Sequence, residues 1–187
     1  MNQSNLPIQL TSFIGREKEI ADLKHLLIDA HMITLTGPGG SGKTRLSIQI
    51  ANEVREKYSD GVWLVDLSPI NDPELIPQVM MLSFGLHPTT DQPSLEILTN
   101  YIRPKKTLLI LDNCEHLLDA CAQICQELLC QAPELCILAT SREALAITGE
   151  IIYPISGLTL PNTNIEMEKD IRSLIQYDSI QLFVERA

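Results

Sequence analysis

The chain has 187 residues, a formal net charge of −10, 44% hydrophobic residues and 20% charged residues. This length favours one domain with room for a short appendage, and the composition is sufficient for a sizeable buried core. The acidity argues against direct nucleic-acid binding by this segment, because phosphate backbones are bound by concentrated lysine and arginine. No signal peptide and no apolar run of about 18 residues is visible, so we expect a cytoplasmic protein without a membrane partner.

The predicted elements alternate between helices and strands along the chain. Helical periodicity over residues 16–29 predicts the first helix, and the apolar run 32–36 predicts the first strand. A glycine-rich turn and a second helix, reaching about residue 58, follow. Further strands are predicted at 62–67, 107–111, 135–140 and 151–155, with helices over 73–84, 94–102 and 115–130. Strands this apolar are buried on both faces, which predicts a parallel sheet in a three-layer α/β/α sandwich.

Three acidic or hydroxyl residues stand where helices are predicted to begin. Asp72 precedes a proline, and Ser94 and Asp178 precede apolar residues at helical spacing. We expect all three side chains to cap their helices. Gln181 occupies the matching capping-box position in the last helix.

The five cysteines favour buried thiols over a disulfide framework, because their number is odd and no secretory signal is visible. A zinc site is the alternative, but no C-x₂-C pair exists and most of the cysteines lie among leucines of one predicted helix. The cysteines are Cys114, Cys121, Cys125, Cys130 and Cys136.

The strongest motif is the glycine-rich turn between the first strand and the second helix. Its pattern, G-x-x-x-x-G-K-[ST], is that of a phosphate-binding P-loop, and its strand–turn–helix context favours this interpretation over a structural glycine turn. Glycines let backbone N–H groups approach a phosphate, Lys43 supplies charge to the β- and γ-phosphates, and Thr44 offers a hydroxyl to Mg²⁺. The motif comprises Gly37, Pro38, Gly39, Gly40, Ser41, Gly42, Lys43 and Thr44.

A second motif consists of four apolar residues, 108–111, followed by Asp112. This is the form of a Walker B strand, whose aspartate holds Mg²⁺ directly or through water. An additional strand, 62–67, is predicted between the Walker A and Walker B strands, which indicates the ASCE division of P-loop NTPases. We therefore expect a five-stranded parallel sheet in the order 5-1-4-3-2.

Residues after Asp112 bear on hydrolysis. Many ASCE enzymes have glutamate directly after the Walker B aspartate, whereas this chain has Asn113, which cannot accept a proton. Glu115 or His116 could substitute as the catalytic base. The alternative is that Glu115 only begins a helix, where a carboxylate suits the helix dipole.

Arg142 follows the predicted fourth strand. The carboxyl ends of parallel strands line the ligand crevice, so its guanidinium could contact a γ-phosphate and report its presence. The alternative is a solvent-exposed arginine at a strand end.

Together, five segments resemble the NTPase domain of STAND proteins, the NB-ARC-like ATPases, especially the bacterial branch found in LuxR- and SARP-type transcriptional regulators and "predicted ATPases". The segments are 13–17, the P-loop, 111–116, 139–143 and 179–187. The resemblance covers about residues 6 to 187 and implies ATP or ADP with Mg²⁺ as ligands.

The resemblance also implies roles for individual residues. Phe13, Ile14, Gly15 and Arg16 would contact adenine and the edge of the nucleotide, with Arg45 beside the P-loop. Lys43, Asp112, Glu115 and Arg142 are the candidate catalytic residues, and Arg142 matches the sensor arginine of the family. The polar stretch 161–170 predicts a linker, so residues 1–160 would form the nucleotide-binding domain and 171–187 the first helix of a truncated lid domain.

We expect a signal-transduction ATPase module that hydrolyses ATP slowly, with protein partners or self-association through further domains. The second hypothesis is a binding-only module that holds ADP without useful turnover. A phosphotransferase of the nucleotide-kinase type is a third, but it requires an arginine-rich lid and an acceptor site that the sequence does not show.

Overall fold

Five parallel strands form the centre of the computed structural model, which describes residues 3–89, 91–160 and 177–186. Their spatial order is β2-β3-β4-β1-β5, so the predicted order 5-1-4-3-2 is confirmed. β4 lies between β1 and β3, which places the end of β4 between the Walker A and Walker B segments. The strands are β1 (Met32–Thr36), β2 (Val62–Asp66), β3 (Thr107–Asp112), β4 (Leu135–Ser141) and β5 (Ile151–Pro154).

Helices cover both faces of the sheet, as predicted for a three-layer sandwich. Alternate residues of β3 enter different cores: Leu108 and Ile110 pack with α1 and α2, while Leu109 and Leu111 pack with α3, α4 and α5. All six residues of β3 are buried, which explains its uninterrupted apolar sequence. The helices are α1 (Glu17–Leu26), α2 (Lys43–Val54), α3 (Ile76–Ser83), α4 (Ser94–Ile102), α5 (Leu118–Gln131) and α6 (Asp178–Arg186).

Several helix ends differ from the prediction. Asp72 caps its helix as expected, since Oδ1 accepts from the Glu74 N–H at 3.0 Å. The prediction for Ser94 was wrong, because the Pro93 carbonyl accepts from Glu96 and Ile97 and so takes the N-cap position.

The prediction for Asp178 was wrong for the same reason. The Tyr177 carbonyl accepts from Ile180 and Gln181, which makes Asp178 the first helical residue. Short 3₁₀ turns also replace parts of the predicted helices at Arg55–Lys57, Pro73–Leu75 and Cys114–His116.

The remaining predictions concern the cysteines and the chain ends. Cys114, Cys121, Cys125 and Cys136 are buried, whereas Cys130 is exposed. The predicted linker, 161–170, lies outside the described residues. Within the described part of the chain, none of the helices is long and apolar enough to span a membrane.

Candidate functional site

The P-loop connects β1 to α2 at the carboxyl edge of the sheet. Gly42 immediately precedes α2 with φ 88°, a left-handed conformation that glycine adopts without strain. Gly37 has φ 150°, and a Cβ at this position would collide with the Ile155 carbonyl. The Lys43 ammonium folds over the loop, donating to the carbonyls of Gly37 at 2.8 Å and Pro38 at 3.1 Å. The loop thus carries a nearly buried cation at the start of a helix, an arrangement suited to a phosphate group.

Asp112 is joined to the P-loop and to β4 by hydroxyl groups. Thr44 Oγ1 donates to the Asp112 carboxylate at 2.8 and 2.9 Å, and Thr140 Oγ1 donates to Oδ1 at 2.5 Å. Asp112 is only 4% exposed. Burial raises the pKa of Asp112, although the hydroxyls of Thr140 and Thr44 lower it and the charges of Asp66 and Glu115 raise it. A buried carboxylate beside a threonine hydroxyl is an oxygen donor set that fits Mg²⁺.

Arg142 and Glu115 form an ion pair at the same edge. Arg142 Nε lies 3.2 Å from Glu115 Oε1. The guanidinium also approaches the P-loop, since Nη2 lies 3.9 Å from a Cβ built on Gly39. The structure therefore brings Lys43, Thr44, Asp112, Glu115 and Arg142 together. His116 is exposed and instead contacts the Ile70 carbonyl through Nε2 at 2.7 Å.

A cleft of about 210 Å³ adjoins the P-loop on its other side. Its walls include Phe13, Ile14, Arg16 and Arg45, so part of the segment expected beside adenine lines it. Sequence reasoning missed the other contributors, which carry no motif and come from distant parts of the chain. These are Ser12, Gly157, Leu158 and Leu182, whereas the remaining lining residues, Gly40, Ser41 and Gly42, belong to the predicted P-loop.

Arg16 lies in the wall between the cleft and the P-loop. It is 7% exposed and has a left-handed backbone, with φ 66°. Its Nη2 donates to the Ser41 carbonyl at 2.6 Å and to the Ser156 carbonyl at 2.8 Å. Arg16 therefore ties the N-terminal segment to the P-loop and to the residues that follow β5.

α6 closes one side of the cleft. Leu182 lines it, and Arg186 Nη2 donates to the Ser12 carbonyl at 3.2 Å. Ser12 Oγ also bonds to the Glu185 carboxylate. Arg45 Nη2 donates to the same Ser12 carbonyl at 2.9 Å. The N-terminal segment is thus held between α2 and α6.

A parallel sheet in this order, with a P-loop after β1 and an aspartate at the end of β3, defines a P-loop NTPase of the ASCE division. The chain belongs to the NB-ARC family, because the NB-ARC domain model matches residues 16–153. It is therefore a P-loop NTPase domain of the NB-ARC family, a class of nucleotide-binding ATPase modules that bind ATP or ADP and usually Mg²⁺.

Relatives in sequence include longer bacterial proteins. An uncharacterised protein of Mycobacterium tuberculosis is 39% identical over 178 residues, which are 95% of this chain and 42% of the relative. A putative HTH-type transcriptional regulator of M. tuberculosis is 39% identical over 154 residues, 82% of this chain and 17% of that protein. The chain therefore spans less than half the length of these relatives.

Solved structures share the fold. The STAND protein with a tetratricopeptide repeat sensor from Pyrococcus horikoshii superposes with a TM-score of 0.59 at 15% identity, covering 84% of this chain and 25% of that one. The ORC2 protein of Aeropyrum pernix, solved as ADPNP–ADP complexes, gives a TM-score of 0.54 at 16% identity, covering 80% and 50%.

Proposed function

We propose that this chain is a nucleotide-dependent switch that binds ATP or ADP with Mg²⁺ and hydrolyses ATP slowly within a regulatory protein. The observation that carries the proposal is the Thr44–Asp112 contact, which joins the P-loop to the Walker B strand. Two oxygen donors beside a buried lysine form a compact site for a metal and two phosphates.

Each phosphate-side residue has a role in this proposal. Backbone N–H groups of residues 39–44 hold the β-phosphate, and Lys43 neutralises charge between the β- and γ-phosphates. Thr44 and Asp112 hold Mg²⁺, which shields phosphate charge when bound. Arg142 contacts the γ-phosphate and so distinguishes ATP from ADP.

We propose that adenine binds in the cleft beside the P-loop, which forms the base side of the site. The cleft beside the P-loop presents the apolar side chains of Phe13, Ile14 and Leu182 to a flat ring. Gly15 leaves room for the Asp178 side chain at the start of α6, and Arg16 and Arg45 shape the wall next to the phosphates. Residues 171–187, which include α6, would then begin a lid domain joined to residues 1–160 by the linker 161–170.

The regulatory role is supported by the names of relatives. They include the putative HTH-type regulator and a regulatory protein of Streptomyces griseus that is 28% identical over 155 residues, 76% of this chain and 15% of that protein. We propose a cytoplasmic module whose partners are proteins, or other copies of itself, and which does not itself contact nucleic acid or membrane. The formal net charge of −10 supports the last point.

The second hypothesis, a module that retains ADP without turnover, is favoured by Asn113 and by the Glu115–Arg142 ion pair. Asn113 cannot act as a base, and the pair occupies one oxygen of Glu115, one of the two candidate bases. A single-turnover assay with labelled ATP separates the two. Release of labelled phosphate supports the switch, whereas unchanged bound ATP over hours supports the holding module.

Asp112→Asn tests the metal assignment. We expect Mg²⁺-dependent ATP binding to weaken by about 10- to 100-fold, because the variant removes one charged ligand from the cation. Mg²⁺-free ADP binding should change little. Calorimetric titrations with and without Mg²⁺ check this, and equal losses in both conditions would make Asp112 a structural residue.

A further inference from the structure

Asp66 lies at the site, yet neither the P-loop nor the Walker B motif accounts for it. It is the last residue of β2 and the register partner of Asp112 on β3. Neighbouring parallel strands end at the same sheet edge, so the two aspartates lie side by side. Asp112 is buried, whereas Asp66 is exposed to solvent.

Asn113 links the two carboxylates. Its Nδ2 lies 3.4 Å from Asp66 Oδ1 and 3.3 Å from Asp112 Oδ2. Its backbone is left-handed, with φ 64°, and its N–H donates to Thr140 Oγ1 at 3.0 Å. A glutamate at this position would add a third negative charge where an amide now bridges two, which like-charge repulsion disfavours.

The surrounding loop holds Asp66 in place. The Ser68 N–H donates to Asp66 Oδ1 at 2.9 Å. Leu67, which follows Asp66, donates its N–H to the Asp112 carbonyl at 3.0 Å. The His116–Ile70 contact fastens the far end of the same loop. Such support is what a catalytic carboxylate needs, because it removes the cost of ordering the group during reaction.

Glu115 is differently placed. Its Oε1 pairs with Arg142, and its Oε2 is buried without a hydrogen-bond partner among the described residues. Within the described part of the chain, Asp66 has no ion pair. Of the two candidates, Asp66 is therefore the carboxylate that is open to a water molecule and free of a cation.

We infer that Asp66 orients and deprotonates the attacking water, while Asn113 acts as its positioning residue. The inference rests on the proposed ATP hydrolysis. The water oxygen bonds to the γ-phosphorus, and the bond to the β,γ-bridging oxygen breaks with its electron pair remaining on ADP. The water proton passes to the Asp66 carboxylate and then leaves to phosphate or solvent. Asn113 thus stands where many ASCE enzymes have the catalytic glutamate, and it positions Asp66 of the neighbouring strand β2 for the same role.

The test compares two phosphate analogues bound with ADP and Mg²⁺. Aluminium fluoride mimics the transferring phosphoryl group with its attacking water, whereas beryllium fluoride mimics ground-state ATP. Asp66→Asn should reduce affinity for ADP with aluminium fluoride by about tenfold or more, because it removes an interaction made only in the transition state. Affinities for ADP alone and ADP with beryllium fluoride should stay within about twofold.

Three further variants sharpen the result. Asn113→Gly keeps the left-handed backbone but removes the amide, so it should lose part of the aluminium fluoride affinity. Asp66→Glu keeps the charge but moves the oxygens, and should also bind this analogue more weakly. Asp29→Asn, at an exposed position between α1 and β1, is the matched control and should change nothing. Single-turnover hydrolysis by Asp66→Asn should fall by about 100-fold.

The outcomes separate this inference from the proposed function. A wild-type chain that fails to bind ADP overturns the proposed function itself. A wild-type chain that binds ADP, but no more tightly with aluminium fluoride, overturns the proposed hydrolysis on which the inference rests. An Asp66→Asn variant with full aluminium fluoride affinity overturns the role of Asp66 alone. Equal losses for both analogues, with a lower unfolding temperature, would make Asp66 structural and also overturn the inference.

Discussion

The phosphate side and the base side of the candidate nucleotide site are built in different ways. The phosphate side consists of one loop, 37–44, and strand ends that meet at a sheet edge, joined by short bonds such as Thr44–Asp112. The base side is assembled from the N-terminal segment, residues 156–158 and α6, which are joined by side chains that donate to carbonyls. Phosphate binding therefore follows from local geometry, while base binding depends on long-range packing.

This difference predicts two kinds of mutational effect. A phosphate-side substitution should weaken nucleotide binding with little loss of stability, because the loop and its helix form independently of the ligand. A base-side substitution should alter stability and binding together, since its wall exists only when distant segments dock. Arg16 belongs to both sides, because one nitrogen contacts the Ser41 and Ser156 carbonyls.

Lys43→Ala should give the largest effect. Each charge-assisted hydrogen bond to phosphate contributes about 1.5–3 kcal/mol, so we expect ATP and ADP affinities to fall at least about 100-fold. Calorimetric titration measures the affinities, and thermal unfolding should show an unchanged fold. Lys57→Ala, an exposed change beyond the other end of α2, is the matched control. A Lys43→Ala variant with wild-type affinity would contradict the P-loop assignment.

The sequence was most informative where function and local geometry coincide. β1 was predicted with its observed bounds, and the sheet order followed from one additional strand between the Walker motifs. Helix starts were predicted less accurately. Ser94 and Asp178 have side chains that favour N-cap positions, but the preceding residues, Pro93 and Tyr177, occupy those positions.

Long-range assembly was beyond sequence reasoning. Nothing in the pattern indicates that Leu158 and Leu182 line one cleft, because their contact depends on how α6 docks. The Asp66–Asn113 bond also joins residues 47 positions apart. Asp66 offered a weak signal, since a carboxylate ends a buried strand, but the strand was predicted to continue to residue 67.

Within the phosphate side, Arg142→Ala should affect ATP binding and ADP binding differently. Arg142 approaches Gly39 and can contact a γ-phosphate that ADP lacks. A charged hydrogen bond of about 1.5–3 kcal/mol predicts an ATP affinity lower by roughly 10- to 100-fold, with ADP affinity nearly unchanged. Titrations of both nucleotides at matched Mg²⁺ measure the ratio. Glu143→Ala, its exposed neighbour, should leave the ratio unaltered, and equal losses for both nucleotides would assign Arg142 a structural role.

Gly15→Ala should act on the base side through stability. Gly15 has φ 68°, and a Cβ there would collide with the Asp178 carboxyl group at the start of α6. Left-handed strain alone costs about 1–2 kcal/mol, and the collision adds the cost of moving the Asp178 side chain. Urea unfolding measures the total. In the double variant, Asp178→Ala should remove the collision, while the left-handed strain at position 15 remains. Additive losses in this cycle would show that the Asp178 carboxyl group does not pack against Gly15.

Leu182→Ala should give the smallest effect and the most specific one. Leu182 is half-buried and lines the cleft, whereas Phe183, the next residue of α6, is 71% exposed and does not line it. At about 25 cal/mol per Å² of buried apolar surface, truncating a partly buried leucine predicts a loss near 1 kcal/mol, or about 3- to 10-fold in affinity. ATP and ADP should be affected equally, because both carry the same base and Arg142 does not line this cleft. Fluorescent-nucleotide displacement by ATP and ADP measures both losses, with Phe183→Ala as the control that should show none. If Phe183→Ala weakens binding as much as Leu182→Ala, the adenine does not enter this cleft, and the base side would have to be sought elsewhere along the P-loop.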